Sequence, residues 1–95
     1  MSILSGNTPH YRLVYTKQAR QDAKKLSAAG LRDKTRELLT IISHNPYQNP
    51  PRFERLVGNL KGALSRRINI QHRLVYQVLD NEKTVKVLRM WTHYE

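Results

Sequence analysis

The chain reads as one α+β domain, with elements in the order β-α-α-β-β-β and an antiparallel sheet covered on one face by a helical hairpin. Three observations point there. At 95 residues the chain has room for one small core. Apolar residues recur at helical spacing up to residue 43 and at a period of two after residue 53. The change falls at a proline- and asparagine-rich stretch, Tyr47 to Pro51, that no helix can cross.

Residues 1–10 carry Ser, Gly, Asn, Thr and Pro and read as a flexible leader, with the domain proper at 11–95. Tyr11-Arg12-Leu13-Val14-Tyr15 is aromatic and β-branched, as a strand requires. Thr16 follows as an N-cap. From Lys17 to Ala29 the positions Ala19, Ala23 and Leu26 make one apolar stripe, and Gly30 interrupts it. A second helix is expected from Leu31 to Ser43 on the stripe Leu31, Thr35, Leu38, Leu39 and Ile42, stopped by His44-Asn45-Pro46.

Beyond the connector, Phe53–Val57 has the makings of a short strand. Fuller ones follow at Ala63–Asn69, His72–Leu79 and Thr84–Trp91. Their short connectors make neighbours antiparallel. Alternation then splits the sheet into two faces. Leu64, Ile68, Leu74, Tyr76, Val78, Leu88 and Met90 are expected under the helices. Arg67, Arg73, Gln77, Val87, Arg89, Trp91 and His93 fall on the other face. Parity sends Arg66 to the core side, where it is expected to sit at an edge and snorkel.

Charge sets the functional frame. Seventeen Lys and Arg against seven Asp and Glu leave +10, a self-repelling excess that a polyanion would relieve. With 39% hydrophobic residues the chain is not a disordered tail, and the absence of cysteine excludes disulfides and thiolate zinc sites. No stretch approaches the roughly 18 apolar residues of a membrane span, and Met1 to His10, with no charged start and no long apolar run, does not read as a secretory signal. Cations interleaved with aromatic rings on one sheet face suit single-stranded RNA, since cations track phosphates and rings stack on bases. A solvated antiparallel face is the plainer alternative.

Cutting RNA with side chains alone takes a base for the 2′-hydroxyl, an acid for the departing 5′-oxygen and cations for the phosphorane charge. Asp80 and Glu82 read as solvated turn residues. Glu54, between Arg52 and Arg55, reads on charge alone as an ion pair more readily than as a base. His93 is an acid by type, with an ordinary pKa near 6.5. His72 opens a strand on the helix side and reads as structural.

The ordered set Glu54…Leu56, Ser65-Arg66-Arg67-Ile68, His72-Arg73-Leu74-Val75-Tyr76 and His93-Tyr94 resembles the YoeB/Txe toxins of the RelE superfamily. The resemblance runs from Tyr11 onward. It implies a RelE-like fold and a bacterial type II toxin, a ribosome-dependent mRNA endoribonuclease cutting in the A site without a metal or other cofactor. By it, Glu54 is the general base, Arg73 the phosphate-stabilising arginine and His93 the general acid. Arg67 and Tyr94 match RNA-binding positions, and Arg66, Lys61, Arg89 and Trp91 complete the expected RNA surface. The implied partners are a YefM/Axe-like antitoxin, the 70S ribosome and mRNA, in the cytoplasm and with no membrane; a homodimer is a candidate assembly. The chain departs from the family in its segment between Glu54 and Ser65 and in the added Glu95. Two other readings stay open: a ParE-like toxin that acts on gyrase, and a basic RNA-binding protein without catalysis.

Overall fold

A computed structural model describes residues 10–58 and 62–91; the expected leader up to residue 9, Lys61, His93, Tyr94 and Glu95 lie outside the described residues. The elements run β1 (Arg12–Tyr15), α1 (Lys17–Ala28), α2 (Arg32–His44), β2 (Glu54–Arg55), β3 (Leu64–Arg67), β4 (Arg73–Leu79) and β5 (Thr84–Arg89). A 3-10 turn, Asp80–Glu82, joins the last two strands. This is the expected α+β architecture of two helices on a sheet. The sheet is mixed, however, in the order β1-β5-β4-β3-β2. β3, β4 and β5 are antiparallel neighbours, whereas β1 lies parallel to β5, with Leu13 opposite Val85. Strand β1 can reach β5 only because the helical hairpin carries the chain back across the sheet.

Local chemistry explains the hairpin. The Thr16 hydroxyl oxygen accepts the Ala19 amide at 3.0 Å and donates its own proton to the Leu88 carbonyl at 2.9 Å, so one cap starts α1 and ties it to β5. At the far end, Gly30 takes the left-handed conformation (φ 79°). Its amide meets Ser27 at 3.1 Å and the Leu31 amide meets Leu26 at 2.9 Å, which is a Schellman closure. Between the helices and the sheet lie Ala19, Leu26, Leu38, Ile42, Leu64, Ile68, Leu74, Tyr76, Val85, Val87 and Met90.

Val85 and Val87 correct the expected face assignment, which put Val87 on the opposite side and Leu88 in the core. Val75 pairs with Arg89, yet its neighbour Tyr76 pairs with Val87, so Leu88 is an extra residue in β5. The bulge inverts parity between Val87 and Met90 and lets both reach the core. Asp80 also does more than the solvated turn residue expected. Although exposed, it accepts the phenols of Tyr11 and Tyr47 at 2.8 Å each, joining β1 and the α2 exit to the β4–β5 turn. Those bonds hold its carboxyl below the usual range. Burial, then the bond to Asp80, pushes Tyr47 up to about 12.

Candidate active site

Strand register gathers the site on the sheet face away from the helices. Glu54 stands opposite Ser65, Ser65 opposite Val75, and Arg67 opposite Arg73. Pro51, Arg52, Glu54, Ser65, Arg67 and Arg73 line a cleft of about 260 Å³. Arg73 Nη1 lies 3.1 Å from Glu54 Oε1 and 3.5 Å from Ser65 Oγ. Arg52 Nη2 approaches the other carboxylate oxygen, Oε2, at 3.5 Å. The Arg73 side chain is only 19% exposed and is therefore held in place, whereas Arg52 at 83% is open to solvent. Arg67 is exposed and has no carboxylate partner among the described residues.

One carboxylate among three arginines gives the cleft a local excess of positive charge beside a group able to accept a proton. That is chemistry suited to a phosphodiester and hostile to a metal cation. The fork of Arg73 fits phosphate oxygens, and Ser65 adds a hydroxyl. As the charge pattern suggested, Glu54 is engaged in ion pairs.

The expected residues divide sharply. Glu54, Arg67 and Arg73 come together. Arg66, expected on the RNA surface, does not join them: it is fully buried on the helix side, and carbonyls rather than solvent surround its guanidinium. Arg89, expected to contact RNA, gives its Nε to Asp22 of α1 at 3.0 Å. Trp91 stacks on buried His72, with ring centroids 3.8 Å apart and planes 21° from parallel, and packs against the core. Two residues were missed. Arg52 shares strand parity with Glu54, a signal that could have placed it. Asp22 sits three residues after Ala19 and four before Leu26, a charge inside the apolar stripe of α1.

Asp22 is completely buried. Burial pushes its carboxyl up, but the Met90 amide at 2.9 Å, Gln18 at 3.0 Å and Arg89 outweigh that and hold it below the usual range.

Two helices thus cover one face of a five-stranded mixed sheet, and an arginine-rich cleft lies on the other. A toxin in a YoeB-YefM complex from Staphylococcus aureus superposes with a TM-score of 0.74 at 34% identity, over 88% of this chain and 98% of that one. A YoeB dimer from the same organism gives 0.75 at 35%, covering 90% and 99%. YafQ from E. coli shares the fold at a TM-score of 0.76 and 21% identity. Residues 15–94 match the family described as the YoeB-like toxin of bacterial type II toxin-antitoxin systems, and the chain belongs to that family. The toxin YoeB of Synechocystis is 38% identical over 58 residues, 61% of this chain and 65% of the relative, just under two thirds of its length. That of Escherichia coli K12 is 38% identical over 61 residues, 64% and 70% of the two chains.

Proposed function

We propose that this toxin is a ribosome-dependent endoribonuclease that cuts mRNA in the decoding A site and so stops translation. The observation that carries the reading is the single carboxylate held among Arg52, Arg67 and Arg73 in one cleft. Glu54 takes the 2′-hydroxyl proton, the freed oxygen attacks phosphorus, and Arg73 stabilises the charge on the phosphorane. His93 gives a proton to the departing 5′-oxygen, leaving a 2′,3′-cyclic phosphate. Side chains supply every proton and charge in that scheme, so it calls for no cofactor.

The ion pair bears on this chemistry. An arginine lies against each oxygen of the Glu54 carboxylate, Arg73 on Oε1 and Arg52 on Oε2. An arriving phosphate competes for Arg52 and Arg73, and by drawing them off it leaves Glu54 free to accept a proton.

The partners follow from the charge. Ribosomal RNA and mRNA complement a +10 chain, and an acidic, partly disordered antitoxin that folds on binding would neutralise it. No helix among the described residues is long and apolar enough to cross a membrane, and we place the activity in the cytoplasm with the ribosome.

Purified 70S ribosomes programmed with a defined mRNA provide the test. Cleavage in the A-site codon is expected from the wild type, with Glu54→Gln and His93→Gln binding ribosomes normally and cutting far more slowly. Intact mRNA with wild-type toxin would sink the reading and turn attention to gyrase supercoiling. Equal loss of binding and cleavage in the variants would remove the assigned roles.

A further inference from the structure

We propose that Arg66 is a positioning residue whose buried guanidinium pins the connector Pro46–Pro51, and through it sets Arg52 and Glu54 opposite Arg73. As a statement about catalysis it rests on the nuclease reading; as a statement about cleft geometry it does not.

Arg66 sits between Ser65 and Arg67 on β3, and both neighbours line the cleft. Alternation turns it the other way, in register with Leu74, to complete burial. A buried cation is costly unless its donors are met. Among the described residues no carboxylate pairs with it. Its Nε donates to the Tyr76 phenol oxygen at 2.9 Å, its Nη2 to the carbonyls of Pro46 at 3.1 Å and Gln48 at 2.8 Å, and its Nη1 to the carbonyl of Pro51. Tyr76 in turn donates to Pro46 at 2.7 Å, and Phe53 lies under the guanidinium at 5.0 Å.

Three of those four acceptors belong to the connector. Pro46, Pro50 and Pro51 have no amide proton, so this stretch offers carbonyls that no strand or helix of its own can use. The strand that follows, β2, is two residues long and cannot place itself by its own pairing. Pro51 accepts from Arg66 and also lines the cleft beside Arg52. One residue thus couples the buried cation to the wall that carries the carboxylate. Only a planar, forked cation spans carbonyls so far apart; the point charge of lysine does not.

The test compares Arg66→Lys with Ile42→Val, a mild deletion on the buried face of α2 at a residue that does not line the cleft. Amide hydrogen exchange and single-turnover cleavage on programmed ribosomes are read for both, alongside ribosome affinity and melting temperature. In Arg66→Lys, exchange across residues 47–56 is expected to rise by about tenfold or more while β4 and β5 keep their protection. Cleavage is expected to fall about a hundredfold, the scale of a misplacement near 1 Å, with ribosome affinity within about twofold of wild type. Ile42→Val should lose neither beyond its loss of folded fraction. Should Arg66→Lys fail to fold, Tyr76→Phe keeps the charge, removes two bonds of the same network, and should shift both readouts the same way by less. Exchange that rises evenly over the whole chain, or stays unchanged, overturns the proposal, as does cleavage that falls only in step with Ile42→Val. If the wild type itself does not cut, the nuclease reading fails and the exchange pattern alone decides the role of Arg66.

Discussion

Arg66 and Arg67 are neighbours with the same side chain, and the sheet between them sends them to opposite fates. Arg67 faces the cleft, exposed and without a carboxylate partner among the described residues. Arg66 faces the helices, fully buried, with four hydrogen bonds to oxygen. The same division separates the two acidic residues that matter. Glu54 is half-exposed and paired with Arg52 and Arg73, whereas Asp22 is buried under its donors. Charge on the open face stays available for a ligand, and charge on the helix face is spent on the fold. Counting arginines cannot distinguish the two, because one strand step moves a side chain from one role to the other.

Substitutions sharpen that contrast, beginning with the largest effect. Arg73→Ala should lower A-site cleavage by about 10²–10³-fold while leaving the urea midpoint near wild type, since it removes charge stabilisation at the reacting phosphate. A parallel fall in midpoint would show that the open face also carries the fold. Asp22→Asn should do the reverse, costing about 2–3 kcal/mol in urea unfolding, as hydrogen bonds to a buried charged group do when lost. Its effect depends on pH with a definite sign. The folded carboxyl lies below its ordinary 3.8. Its stabilisation is therefore complete above that value and is lost as pH falls through the lower folded value. Asp22→Asn should flatten that acid limb of the stability curve; an unchanged limb would assign it to other carboxylates.

Arg67→Ala is expected to change stability by less than about 0.5 kcal/mol. It should weaken ribosome association and reduce the log–log salt slope by about one. An unaltered slope would take Arg67 out of the RNA interface. Arg52→Ala breaks an exposed pair and should cost under about 1 kcal/mol in urea unfolding, with no other readout expected to move. A larger loss would mean that the cleft wall depends on that pair as well as on Arg66.

Much of this was legible in the residues. The stripes of α1 and α2, the Thr16 cap and the Gly30 stop depend on neighbours within a turn or two, and local chemistry settles them. Alternation along β3 and β4 put Arg67 and Arg73 on one face before any register was known. The ordered motifs from Glu54 to Tyr94 indicated the family. The bulge at Leu88 was not legible, since nothing in Thr-Val-Lys-Val-Leu-Arg marks where an extra residue must fit against Tyr76. Parity even sent Arg66 toward the core, but no local feature named its acceptors.

Periodicity and capping therefore determine the elements and their two faces, because those forces act between residues close along the chain. Packing decided the rest: the parallel docking of β1, the parity flip before Met90, the burial of Asp22, and the carbonyl cage around Arg66. Each of these joins residues far apart in sequence, such as Asp22 to Met90 and Arg66 to Pro46. Such partners meet only once the whole sheet has closed, and a buried charge is tolerated only where they have met.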